Sequence, residues 1–326
     1  MRNTSTLLFG LLAALYAQLF CVEVRAQSFP NKPIRVLITI PPGGSPDVLA
    51  RTVAQKLAEN LGQQVVVDNR PGAGGMVAAN AVINAVPDGY TLIMADTALY
   101  AVLPHMSSNS AFDPLRDLSA VALVATSPIF LVISPSLNVN NVKDFVALAK
   151  AKPGMPYASA GNGTAHHLAM ELLKSLAGVE LSHVPYKGAA QAVPAVIAGD
   201  VTAAFAGLNL AQAQAKAGKV KILGIATAQR SALAPDIPSI AEAGVPGFNM
   251  SISLGYLAPG KTPRDVVLKL NAELMKAVNA PDVQQRLFAL GVEASAPSSP
   301  EHFAETMRTE SQHYGKLVRA SGVRAD

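Results

Sequence analysis

The chain is poor in the residues that build redox and metal chemistry. Its 326 positions include one cysteine, Cys21, and no tryptophan, and aromatics make up 5%. Arg2, the apolar run Leu7 to Phe20 and the small-residue pattern Val24-Arg25-Ala26 read as an export signal over residues 1–26, with Gln27 the expected first residue afterwards. Gln18-Leu19-Phe20 lacks the small residues that lipoprotein processing needs, so plain cleavage is expected, with no lipid anchor. Cleavage removes Cys21, and with it disulfides, thiolate metal sites and cysteine nucleophiles. No later stretch has the length of a spanning helix, so a soluble protein outside the cytoplasm, in the periplasm, is expected.

Nucleophile and phosphate signatures are also missing: there is no GxSxG elbow, no HExxH and no Walker loop. The formal charge is +4, falling to +3 once Arg2, Glu23 and Arg25 leave with the signal. That excess suits small acidic ligands and is too diffuse for nucleic acid, because no Lys/Arg run or interleaved aromatics accompany it.

Glycine and apolar patterning carry the organisation. Ile34 to Ile40 reads as a buried strand, Gly43-Gly44 as a tight turn, and Ser45-Pro46 as the start of a helix with Leu49, Val53, Leu57 and Leu61 at helical spacing. Gln64 to Asp68 is the next strand, Asn69 to Gly75 another glycine-rich turn before a helix from Met76, and Tyr90 to Met94 a third strand. Three strand-turn-helix units in a row predict a parallel sheet. The long apolar segment Ala120 to Ile133, broken at Ser127-Pro128, leaves one lobe and enters another. There the grammar repeats: strand Pro156 to Ala160, turn Gly161 to Thr164, helix to Gly178, strand Glu180 to Pro185, turn Tyr186 to Gly188, helix Ala189 to Ala198, then strands Thr202 to Ala206 and Lys221 to Ala226. Phe248 to Leu257 returns to the first lobe, followed by three helices. The expected fold class is α/β, a two-lobed, type II-like periplasmic binding architecture with mostly parallel sheets. Lobe 1 spans 27–124 and 252–326, lobe 2 spans 125–251, and the ligand cleft lies between them.

The turns at Pro42 to Ser45 and Gly161 to Thr164 each end at a helix start. In a clamp those two N-termini can face one another and hold anionic groups through backbone N–H donors, the dipole adding roughly 0.3 to 1 kcal/mol at each. A small dicarboxylate fits that arrangement. The plain alternative is that the glycines only permit tight turns. Gly161-Asn162-Gly163-Thr164-Ala165-His166 imitates a dinucleotide fingerprint, but His166 stands where the third glycine belongs. His166 and His167 point about 100° apart on a helix and cannot share a metal, so one is expected at the cleft and one on a lobe surface. The other histidines, His105, His183, His302 and His313, read as surface or satisfied residues. Asp47 and Asp68 are conceivable paired acids, though Asp47 in a first helical turn is explained by the dipole. Lys187 reads either as a ligand counter-ion or as an exposed turn residue.

Pro42 to Asp47, Val67 to Gly75 and Pro87 to Leu92 stand in the order found in the Bug-type periplasmic receptors of tripartite tricarboxylate transporters. So do Gly161 to Leu168, Pro185 to Gly188, Ala217 to Lys219, Pro238 to Gly247 and Ala258 to Pro263. The sequence resembles that family along nearly all of the chain after the signal. The resemblance implies a receptor, not an enzyme, that binds a di-, tri- or aromatic carboxylate and passes it to membrane permease subunits, without cofactor, metal or catalytic residues, and as a monomer. It places Pro42, Gly43, Gly44, Ser45, Asp47, Gly72, Ala73, Gly74, Gly75 and Thr97 at the ligand from lobe 1. From lobe 2 it places Ser159, Ala160, Gly161, Asn162, Gly163, Thr164, His166, Tyr186, Lys187, Ala206 and Asn209. Ala206 stands where many relatives carry an Asp, which counts against amino-acid ligands; Ser253 stands where relatives often carry Trp. The rival functions are a sensor reporting the same ligand to a signalling partner and an exported hydrolase or lyase built on His166, Asp47 and Lys187.

Overall fold

Strand β1 (Ile34–Ile38) is buried on all but one position and lies between β2 (Val65–Asn69) and β3 (Thr91–Asp96), parallel to both. The computed structural model describes residues 29–43, 45–106 and 111–323; the expected export signal and Gly44 lie outside them. Helix α1 (Ser45–Leu61) connects β1 to β2 and buries Leu49, Val53 and Leu57 on the face the sequence periodicity marks out. Helix α2 (Met76–Ile83) precedes β3.

Residues Lys32–Asp326 form one unit containing two sheets. The chain leaves β4 (Leu118–Ser127) and at once begins β5 (Ile129–Ile133) in the second sheet. There follow α3 (Val142–Ala151), β6 (Met155–Ser159), α4 (Ala165–Ala177), β7 (Leu181–Pro185), α5 (Ala189–Ala198), β8 (Ala203–Gly207), α6 (Leu208–Lys216) and β9 (Lys221–Ile225). Strand β10 (Ile252–Pro259) returns to the first sheet, and α7 (Arg264–Val278), α8 (Pro281–Ala289), β11 (Glu293–Ala294) and α9 (Pro300–Ser321) complete it. The orders are β11-β4-β10-β3-β1-β2 and β7-β6-β8-β5-β9.

Both sheets are mixed: four of the six strands of the first and four of the five of the second run the same way. Only β2-β1-β3 and β7-β6-β8 are parallel; β10 runs antiparallel to β3 and β4, and β5 antiparallel to β8 and β9. The reason is topological. β5 and β10 arrive straight from the other sheet with no crossover helix, so each runs away from the junction, whereas the strands fed by a helix run toward it, apart from the two-residue β11 after α8, which is antiparallel to β4. The carboxyl ends of β1, β2 and β3 and those of β6, β7 and β8 are therefore the edges turned to the junction. In an open α/β sheet that is the ligand edge.

Candidate functional site

The turn after β1 is shaped by Asp47, which is 3% exposed. Its Oδ2 accepts the N–H of Gly43 at 2.9 Å, and its Oδ1 accepts from Arg51 Nε at 3.1 Å and Asn69 Nδ2 at 3.0 Å. Asn69, at the end of β2, also donates to the Ile40 carbonyl at 3.1 Å, and its Oδ1 accepts from Arg51 Nη2 at 2.8 Å. Burial alone would raise the Asp47 pKa, but the Gly43 N–H, the Asn69 amide and the Arg51 guanidinium together hold it below the usual carboxylate value. Asp47 is thus the organiser of the first glycine turn, and it occupies one of the N–H groups counted as an anion donor. Asp68 is not its partner: it is paired with Arg35 and Arg70.

The second glycine turn is closed from below by two histidines. Ser159 Oγ accepts the Gly161 N–H at 3.0 Å and meets His183 Nε2 at 2.6 Å. Gly163 donates its N–H to His167 Nδ1 at 3.2 Å, and the Thr164 hydroxyl caps α4 by accepting the His167 N–H at 3.4 Å. The His167 ring, 6% exposed, stacks on His183 with centroids 3.8 Å apart, and His183 stacks in turn on Tyr157 at 5.0 Å. Neither histidine of the adjacent pair is therefore a lobe-surface residue of the kind expected: His167 is buried beneath the turn, and His166 is partly exposed at the helix start. His183 is part of the same support. With Gly161 and Gly163 committed inside the turn, the N–H groups of Ala165 and His166 remain as first-turn helix donors at the cleft edge. Tyr186 lies alongside, donating its N–H to the Ser159 carbonyl at 3.1 Å, and Lys187 is exposed.

The two edges meet. Asn209 Nδ2, in the first turn of α6, donates to Ser45 Oγ in the first turn of α1 at 3.1 Å. A Cβ built on Gly163 would stand 2.4 Å from Met106 Cε, so the second turn is pressed against the chain that follows β3. The third glycine turn packs close too: a Cβ on Gly75 would lie 3.0 Å from Thr39 Cγ2 and 3.1 Å from Leu99 Cδ1, and its φ of +99° is one that glycine tolerates.

The anticipated ligand residues divide by exposure. Pro42, Gly43, Gly72, Ala73, Gly74, Asn162, Lys187 and Asn209 are exposed, and Ser45, Ala160, Gly161, Thr164, His166 and Tyr186 partly so. Asp47, Gly75, Thr97, Ser159, Gly163 and Ala206 are buried. Ala206 packs with Val132, Ala158 and Val193 inside the second lobe. Thr97 has no exposed surface, and its hydroxyl accepts the Ser253 N–H at 2.9 Å and donates to Glu310 Oε2 at 3.2 Å. Glu310 also accepts from Ser253 Oγ at 2.5 Å and Tyr100 OH at 2.7 Å. Met106, Arg51 and the His167–His183 stack are not among the residues anticipated for the site, and Asn69 is anticipated only as the start of a glycine turn. A separate groove of about 310 Å³, lined by Leu115, Arg116, Arg264 and Glu301 among others, sits where Leu118 pairs with Pro259, at the end of β4 and β10 away from the cleft edge. Among the described residues no group of three or more His, Cys, Asp or Glu is placed to hold a metal ion, and no helix is long and apolar enough to cross a membrane.

Residues 49–323 match the profile of TctC, the tripartite tricarboxylate transporter family receptor. The chain is 32% identical to the protein BugT of Bordetella pertussis, over 92% of this chain and 93% of that one. Among solved structures it resembles Rpa4515 of R. palustris with adipate, with a TM-score of 0.81, 30% identity and coverage of 91% and 99% of the two chains. It also resembles MatC of Rhodopseudomonas palustris with bound malate, with a TM-score of 0.78, 31% identity and coverage of 89% and 100%. The two edge-to-edge sheets and these likenesses agree, and the chain belongs to the tripartite tricarboxylate transporter receptor family, the Bug-type, TctC-like periplasmic solute-binding proteins, which are receptors and not enzymes.

Proposed function

We propose that the protein captures a small di-, tri- or aromatic carboxylate between its two sheets and delivers it to the permease subunits of a tripartite tricarboxylate transporter. The observation that carries this reading is the meeting of the helix starts at Ser45 and Asn209, together with the approach of the Gly161–Thr164 turn to Met106. Helix first turns present unpaired N–H groups and positive dipole ends, and a dicarboxylate supplies two negative groups on a short spacer. The adipate in Rpa4515 and the malate in MatC are ligands of that kind. Buried Ala206 offers no counter-charge for an amino group, in keeping with a ligand that carries only acid groups.

The exposed and half-exposed members of the anticipated set, from Pro42 to Asn209, are the ligand contacts in this reading, and Asp47, Ser159 and Gly163 support them from beneath. Residues 1–26 act as the export signal, and the receptor works as a monomer in the periplasm. Lobe 1 comprises 27–124 with 252–326 and lobe 2 comprises 125–251, the clamp closing at the crossings near Pro128 and before Ile252.

Melting the protein from Gln27 onward with adipate, malate, citrate and benzoate tests this. A ligand at 100 times its dissociation constant adds about 2.7 kcal/mol to folding stability. At least one acid is expected to raise the melting temperature by several degrees. No shift from any of them at millimolar concentration would refute capture of such acids.

A further inference from the structure

The support beneath the second glycine turn has a stereochemical requirement. Gly163 gives its N–H to His167 Nδ1, so that nitrogen carries a lone pair and no proton. A doubly protonated imidazole would set an N–H against the Gly163 N–H and leave that buried donor without an acceptor. The groups facing the ring come from three elements: His183 of β7 stacks on it, Tyr157 of β6 lies at 6.4 Å, and Glu171 and Lys174 follow on its own helix. Glu171 Oε1 is 3.9 Å from His167 Nε2, but that carboxylate is already engaged by Tyr157 OH at 2.7 Å and Lys174 Nζ at 2.7 Å. A second imidazole 3.8 Å away penalises charge on either ring.

We propose that His167 is a positioning residue for acid capture: its unprotonated Nδ1 fixes the Gly161–Thr164 turn so that the first N–H groups of α4 stand at the cleft edge, and protonating it weakens binding. His183 acts with it, holding Ser159 and through it the Gly161 N–H. This rests on the capture reading above and adds to it a pH dependence set by the protein, separate from the titration of the ligand.

The test compares wild type with His167→Leu, which removes the acceptor, and His167→Asn, whose side-chain oxygen stands near the place of Nδ1. Two quantities are read: amide hydrogen exchange of Gly163 in the unliganded protein, and the dissociation constant of whichever of adipate, malate, citrate or benzoate gives the largest melting shift. The Leu variant is expected to lose about tenfold in Gly163 protection and about tenfold in affinity, the size of one buried donor left unpaired, while the Asn variant stays within about threefold of wild type. From about pH 5.5 down to about pH 3, through the lowered value of this buried ring, wild type is expected to lose affinity relative to the Asn variant measured with the same acid. Unchanged Gly163 protection and affinity in His167→Leu, or identical pH profiles for wild type and His167→Asn, would overturn the role of the ring. Should His167→Leu not fold, the pH profile of His167→Asn decides. A wild type that binds no acid sinks the capture reading alone, and Gly163 exchange in the Leu variant then upholds or overturns the positioning role.

Discussion

The side-chain amide of Asn209 donates to the hydroxyl of Ser45 at 3.1 Å, joining the first turn of a helix on one sheet to the first turn of a helix on the other. Asn209 is exposed and Ser45 half-buried, and in the capture reading proposed above this bond forms as the cleft closes. Replacing Asn209 by Ala removes it without disturbing a core. A hydrogen bond of this kind contributes about 0.5–1.5 kcal/mol, so Asn209→Ala is expected to weaken acid binding by about 2- to 10-fold and to leave the unliganded melt nearly unchanged. Calorimetric titration beside a thermal melt separates the two effects. An equal loss in both would assign Asn209 to folding rather than closure.

Gly163 is restricted twice over. Its φ is +70°, and a Cβ there would collide with the end of the Met106 side chain. Substitution obstructs the turn and carries a folding cost as well, because a non-glycine residue in the left-handed region is strained by about 1 kcal/mol or more. Gly163→Ala should lower the melt modestly and cut affinity. Shortening the opposing chain with Met106→Ala in the same protein should restore part of the affinity and none of the backbone cost. Purely additive effects of the two changes would show that the contact does not couple the lobes.

Much of this was legible in the sequence where local chemistry decides. Thr164 is the N-cap read from its position before an apolar-periodic run, Gly178 ends the same helix, and Ala189–Ala198 is the helix as read. Helix α6 is not visible by the same means: in Leu208–Lys216 only Leu208 and Ala211 are buried, so no stripe of large apolar residues marks it, and the residue that reaches Ser45 sits on that helix. The antiparallel course of β5 and β10 follows from how the chain crosses between lobes, which periodicity does not encode. The stack of His167 on His183 depends on a helix residue meeting a strand residue, and only the pairing of Tyr157 with His183 across β6 and β7 brings them into line. Met106 opposite Gly163 is likewise a contact between segments far apart in the chain.

Asp47 combines burial with three donors, and that makes it the most sensitive point of the first turn. Asp47→Asn retains the size and loses the charge that Arg51 and the Gly43 N–H address. Hydrogen bonds to charged groups contribute about 1.5–3 kcal/mol, so a loss of about 2 kcal/mol in chemical denaturation is expected, with weaker acid binding because the Gly43 turn loosens. The pH sign follows from the lowered pKa: this stabilisation is present above the unfolded carboxylate value and disappears as pH falls through the folded one. Wild type and Asp47→Asn should therefore converge in stability at strongly acid pH. A constant gap between them down to about pH 2 would contradict the assignment.

The histidine stack sets a different pH window. Burial, then the neighbouring His183, pull the His167 pKa down to about 4, and burial lowers His183 as well. An unfolded histidine takes up its proton near pH 6.5, so between there and about 4 the unfolded chain binds more protons than the native one, and stability falls as the solution is acidified. Glu310 works in the opposite sense. Burial raises its pKa despite the hydroxyls of Ser253, Tyr100 and Thr97, so the native state binds the extra proton above the usual carboxylate value and gains stability on acidification there. Melting of the unliganded protein should drop by a few degrees between about pH 6.5 and about pH 4, for a loss on the order of 2 kcal/mol. His167→Asn should flatten that slope, and Glu310→Gln should steepen its lower part. A slope that neither substitution changes would place the acid sensitivity elsewhere in the fold, whereas a steeper slope in His167→Asn would reverse the sign argued for the stack.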